Sequence, residues 1–140
     1  MARIKIDLPD SLSFSTTIPL LISHINHGMH LDNAQLLGVV SEARMRWLKS
    51  LGYSELDIEG LGIIIADAAL QYRSEAFHGE TMQVEMTATD FSEFGFDLVW
   101  RMAAAETGRE VARGKTGIVF FDYRTRTKAS VPAGFRARFA

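Results

Sequence analysis

Three of the four histidines, His24, His27 and His30, lie in one short polar stretch that also holds Asn26, Asp32 and Asn33. An imidazole takes up and gives back a proton near neutral pH, orients a water or donates to a carbonyl. Asp32 stands where a helix begins to read, so its carboxylate has two uses, general base or helix N-cap. Asn26 is a neutral amide; it holds a water or a carbonyl oxygen by hydrogen bonds but cannot act as a base. A further carboxylate, Glu42, follows about two and a half turns along the predicted helix, where pairing with Arg46 at i+4 is its ordinary role. Cysteine is absent, which excludes a thiolate nucleophile, a disulfide framework and a Cys-ligated metal.

These groups need a frame. Apolar residues at Leu36, Leu37, Val40, Ala43, Trp47, Leu48 and Leu51 recur at helical spacing, which predicts a helix over Asn33 to Leu51 with Gly52 as its stop. Arg44 falls inside the apolar stripe, so its guanidinium must snorkel to water or find a carboxylate or carbonyl. Before the helix, Thr16 to Ile22 is short, apolar and β-compatible. After the loop Tyr53 to Leu61, Ile64 to Tyr72, Met82 to Ala88, Phe94 to Met102 and Glu110 to Tyr123 alternate as strands, with turns at His78-Gly79-Glu80 and Glu106 to Arg109. The order is β-α-β-β-β-β, a fold of the α+β class in which one helix covers one face of an antiparallel meander. Ile118-Val119-Phe120-Phe121 is apolar on both sides, so part of the second face must also be hidden, which a dimer would do.

The length of 140 residues fits one domain, taken as residues 1–140, and 47% hydrophobic with 23% charged residues is an ordinary globular balance. A formal charge of −2 offers no broad attraction for nucleic acid. The basic cluster Arg124, Arg126, Lys128, Arg136 and Arg138 reads as a solvated C-terminal end. No stretch has the length of a membrane span or the pattern of a leader, so a cytoplasmic protein with no membrane partner is expected.

Met29-His30-Leu31-Asp32-Asn33-Ala34, then Glu42-Ala43-Arg44, and finally Ile118-Val119-Phe120-Phe121-Asp122 come in an order and spacing that resembles the 4-hydroxybenzoyl-CoA thioesterase-like family. The resemblance runs over most of the chain and implies a hot-dog fold, a long central helix wrapped by a five-stranded antiparallel sheet. It departs at Asn26, where the family usually has its catalytic Asp, and at Met29, where the family has Gly.

What the resemblance implies is an acyl-CoA thioesterase, a hydrolase that splits an acyl-CoA, or less readily an acyl-carrier-protein thioester, into free acid and thiol. Thioester hydrolysis needs a polarised carbonyl, an activated water or carboxylate, and a proton for the thiolate. The alignment favours Glu42 as base or nucleophile, with Asp32 and His30 as further catalytic candidates. The helix N-terminal amides after Asn33 would polarise the carbonyl. Asn26, Asn33, Ala34 and Ile63, Ile64 and Ile65 are the expected substrate-binding residues, in a cleft between subunits of a homodimer or tetramer. No cofactor is implied, and although His24, His27, His30 and Asp32 could space a zinc site, no metal is assigned. The rival readings are a non-hydrolytic domain that binds an acyl thioester or apolar acid, and a dehydratase of the same fold.

Overall fold

The computed structural model describes residues 2–139. Its elements are β1 (Phe14–Pro19), a short 3-10 turn (Ile22–His24), α1 (Asn33–Ser50), β2 (Gly62–Tyr72), β3 (Thr81–Thr89), β4 (Gly95–Ala104), β5 (Glu110–Asp122), β6 (Thr127–Lys128) and α2 (Ala133–Ala137). All pairings are antiparallel in the order β1-β3-β4-β5-β2, with β6 joined to the end of β5. This is the hot-dog arrangement the sequence resembles, with the two-residue β6 and the C-terminal helix added.

Asp32 starts α1: its Oδ2 accepts from the Ala34 and Gln35 amides at 3.0 and 3.1 Å. Gly52, at φ +85°, stops it, as the amides of Gly52 and Tyr53 turn back to the carbonyls of Lys49 and Leu48. Leu36, Val39, Val40, Ala43, Trp47 and Leu48 face inward. They meet the concave face of the sheet, where Met82, Val84, Met86, Leu98, Trp100, Met102 and Phe120 are fully covered. Burying each such side chain contributes about 1.5–3 kcal/mol. Trp100 lies across Gly114, where a Cβ would come within 2.6 Å of the indole and 2.7 Å of the Ala69 carbonyl, so this strand position has room only for glycine.

Arg44 takes the carboxylate solution. It is 7% exposed, and its Nε donates to Glu55 Oε1 at 2.8 Å while Nη2 reaches Ser41 Oγ at 3.2 Å. That pair ties the loop after the helix back onto the helix.

Over β3, β4 and β5 the outer face of the sheet carries charges and is crossed by chain, while Ile64 and Ile65 of β2 stay exposed. Glu85, Arg101, Glu110 and Arg113 form a ladder of ion pairs, with Arg101 Nε to Glu110 at 3.2 Å and Arg101 Nη1 to Glu85 at 3.8 Å. The N-terminal segment crosses this face, the Ile6 amide donating to Gln71 Oε1 at 2.7 Å and Arg113 donating to the Ile6 carbonyl. Near the end of β5, Arg126 covers the Phe121 ring and Lys128 covers Phe94, 5.8 and 4.9 Å from their centroids.

The C-terminal end differs from the solvated tail expected. Val131 and Phe135 are buried and Phe139 partly so. Phe135 sits 5.3 Å, centroid to centroid, from both Phe96 and Phe120, with Trp47, Tyr53, Phe91 and Phe139 around it. The arginines between these apolar residues still face outward. Arg138 donates to the Leu51 carbonyl at 2.6 Å at the end of α1, and Arg136 donates to the Ser92 carbonyl.

Candidate active site

The start of α1, the loop before it and the segment after β2 enclose a cleft of about 350 Å³ lined by Asn26, His30, Leu31, Asn33, Leu36, Tyr72, Arg73, Ser74, Glu75, Ala76 and Val111. Leu31 and Ala76 hold its two walls together, the Leu31 amide donating to the Ala76 carbonyl at 2.7 Å.

The loop is folded around Asn26. Its Oδ1 accepts from the amides of Gly28 and His30, at 3.0 and 3.4 Å, and the peptide ladder closes between Asn26 and His30. The residue that turns the chain is Met29, at φ +67°, and not Gly28. Gly28 serves a different need. A Cβ there would lie 2.9 Å from His30 Nε2 and 3.1 Å from Cδ2, so the imidazole rests directly on the glycine backbone. With Oδ1 occupied, the Asn26 amide NH2 is the part left for a ligand.

His30 Nδ1 is 3.1 Å from the Leu31 carbonyl. A carbonyl only accepts, so Nδ1 carries the proton and Nε2 offers its lone pair. Nε2 is 3.9 Å from Glu75 Oε1. On the exposed side of the cleft the Tyr72 hydroxyl donates to the Asn33 carbonyl at 3.1 Å. Asp32 is spent as a cap on Ala34 and Gln35, and the Leu36 amide bonds the Asp32 carbonyl. The amides expected to polarise a substrate are thus already satisfied. The positive end of the helix remains, with the Asn33 amide the first-turn donor not engaged among the described residues.

The other expected residues lie elsewhere. Ala34 is exposed beside the cleft. Glu42 is on the exposed side of α1, about 14 Å along the axis from Asn33 at the usual helical rise. There its carboxylate pairs with Arg46 Nε at 2.9 Å, and Arg46 also donates to Thr16 Oγ1 and the Thr17 carbonyl. Within one protomer Glu42 does not face the cleft. Ile63 is buried opposite Phe120 in the sheet core, whereas Ile64 and Ile65, 36% and 45% exposed, stand on the outer edge strand β2. His24 folds back to the Leu21 amide, its Nδ1 accepting at 2.9 Å.

Sequence reasoning missed Glu75, Tyr72 as a polar group, and Arg73. In the alternation of Ile64 to Tyr72 the ring counts as one more strand residue, although a tyrosine at a strand end carries a polar handle. Glu75 sits in a segment with no motif, and long-range backbone hydrogen bonds, from Leu31 to the Ala76 carbonyl and from Arg73 and Ser74 to the Val111 carbonyl, bring it to His30.

Among the described residues no helix is long and apolar enough to cross a membrane. No curated protein matches the chain in sequence. In structure it is similar to a 1,4-dihydroxy-2-naphthoyl-CoA thioesterase from Synechocystis, with 22% identity, a TM-score of 0.81, and 90% of this chain and 94% of that one covered. It is also similar to a probable thioesterase from Escherichia coli (16% identity, TM-score 0.73, covering 90% and 96%). A third similar structure is a 12:0-ACP thioesterase from Umbellularia californica, at 17% identity and TM-score 0.74, where 89% of this chain aligns with 48% of that one. Residues 20–139 match the Thioesterase-like superfamily, and the chain therefore belongs to that superfamily of thioester hydrolases.

Proposed function

We propose that this chain hydrolyses an acyl-CoA thioester to free acid and CoA, with the thioester held in the cleft at the start of α1. The observation that carries the reading is His30: an imidazole resting on Gly28, its Nδ1 proton fixed by the Leu31 carbonyl and its Nε2 free to accept a proton. The carbonyl would be polarised by the Asn26 amide and the N-terminal end of α1, and the acyl group would lie against Leu36, Ala76 and Val111. The similar Synechocystis and Umbellularia proteins act on a CoA and a carrier-protein thioester by their names, which supports the bond attacked and leaves the carrier to experiment.

The oligomer proposed is a homodimer or tetramer. β2 is a long edge strand with Ile64 and Ile65 exposed, the kind of edge a second copy covers. Glu42 keeps a catalytic role only if that copy turns its exposed helix face toward the cleft.

Release of thiol from a panel of acyl-CoAs, followed with a thiol-trapping dye, tests this. Wild type should turn over at least one acyl-CoA, and His30→Ala should lower kcat by about 10²-fold or more. Asp32→Asn keeps a good cap and removes the charge; unchanged turnover would confine Asp32 to capping. A large loss in Glu42→Ala at unchanged stability would assign that carboxylate to the partner's cleft. Tight acyl-CoA binding with no thiol release would instead support a non-hydrolytic binder, the reading favoured by a neutral Asn26 in place of an Asp.

A further inference from the structure

Within one protomer, Glu75 is the cleft-lining carboxylate beside His30, and the segment that carries it is clamped on both sides. The amides of Arg73 and Ser74 both donate to the Val111 carbonyl, and Ser74 Oγ donates to the Glu110 carbonyl at 2.8 Å. Further on, the Phe77 amide donates to Glu80, and Leu31 holds the Ala76 carbonyl. Arg109 spans the whole turn. It donates to Ser74 Oγ at 3.3 Å, to the Glu75 carbonyl at 3.0 Å and to both Glu80 oxygens at 2.9 and 3.0 Å. The Glu75 side chain itself, 64% exposed, lies 3.9 Å from His30 Nε2 and pairs with no Lys or Arg among the described residues. A fixed backbone thus presents a free carboxylate to a fixed imidazole.

Their separation of 3.9 Å is beyond direct hydrogen bonding and suits a shared water. Because Nδ1 holds the proton, Nε2 and the carboxylate are both acceptors, and a water with two protons is the group that satisfies both. We propose that Glu75 is a catalytic residue of this hydrolase, holding with His30 Nε2 the water that attacks the thioester. This rests on the hydrolytic reading above and names the carboxylate of that site.

The step balances without a co-reactant. As the water oxygen bonds the thioester carbon, one water proton passes to Nε2 and the carbonyl electrons move onto the carbonyl oxygen. Glu75 retains the second hydrogen bond and faces the imidazolium as it forms. Collapse restores the C=O bond and breaks C–S, and the thiolate takes the proton back from Nε2, leaving acid, thiol and an unchanged enzyme. The other charged group of the cleft is Arg73 and the other titratable one Tyr72. The Tyr72 hydroxyl is engaged with the Asn33 carbonyl.

The test measures thiol release from benzoyl-CoA and a saturated medium-chain acyl-CoA by wild type, Glu75→Gln and Glu75→Ala, with melting temperatures alongside. Glu75→Gln should lower kcat at least about tenfold with KM within about twofold and the melting temperature unchanged, and should displace the acid limb of the pH–rate profile. Added formate should restore part of the rate in Glu75→Ala, which a structural role would not produce. Glu75→Gln within twofold of wild-type kcat would overturn the assignment while leaving hydrolysis standing. No thiol release by wild type from any acyl-CoA would overturn the hydrolytic reading and this step with it.

Discussion

The two ends of α1 are built from opposite materials. At its C-terminal end, Trp47 is packed into a sealed group of rings closed by Phe135 of α2. At its N-terminal end the chain is open and polar, held by the Asp32 cap, the Asn26 turn and the clamp made by Arg109. Rings interlock through area and shape, and have nothing to offer a reacting carbonyl. Hydrogen-bonded loops contribute less to stability yet leave donors and acceptors aimed at a space. Packed rings and open polar groups are therefore concentrated at opposite ends of one helix.

The contrast is sharpest under truncation of the aromatic end. Phe135→Ala should cost about 3–5 kcal/mol in urea denaturation, since its ring is wholly buried, while thiol release per folded molecule stays near wild type. An equal loss of turnover would mean the two ends are coupled. On the outer face of the sheet, ion pairs contribute as well. The Glu110 carboxyl is held below its ordinary range, first by its hydrogen bond from Arg113 and then by Arg101, against the opposing effect of burial. A depressed folded-state value means this contribution is complete above the ordinary carboxylate range and is lost as the pH falls through the folded value. Glu110→Gln should cost about 1–2 kcal/mol near neutral pH and little in strong acid, so its urea midpoints should converge with those of wild type as the pH is lowered.

Smaller changes probe the loop. Gly28→Ala should push the imidazole off its seat and lower kcat/KM about tenfold, equivalent to about 1.4 kcal/mol, with a melting temperature close to wild type. Met29→Gly should stabilise by about 0.5 kcal/mol, the relief of a left-handed backbone partly offset by the freer unfolded chain. Glu42→Ala should cost only a few tenths of a kcal/mol, because its contact is an exposed i,i+4 pair with Arg46. Any larger change in turnover would then report chemistry and not folding.

The frame was legible because it rests on periodicity. The α1 stripe, the alternation of β3, the cap at Asp32 and the need of Arg44 for a partner all follow from local spacing and burial. Val131, Phe135 and Phe139 are also spaced for one helical face, but Pro132, Gly134 and the intervening arginines masked that signal. The cleft was legible only on one side. His30 and Asn26 sit in a conspicuous polar stretch, whereas Tyr72 reaches them through the β2–β5 register and Glu75 through the Leu31–Ala76 hydrogen bond, long-range pairings that no single segment encodes. Met29 shows the reverse: the turn demands a left-handed residue, and the chain puts a methionine where glycine is the easy choice.

Arg109 extends this separation of roles beyond the helix. It belongs to the turn between β4 and β5, yet its guanidinium sets the path of the segment that walls the cleft. The aperture of the cleft is thereby governed from a surface turn outside it. Exchanges at Arg109 or Glu80 would therefore shift that wall while the Asn26 turn and the seat of His30 on Gly28 stay as they are, a lever mechanically remote from the opposite wall.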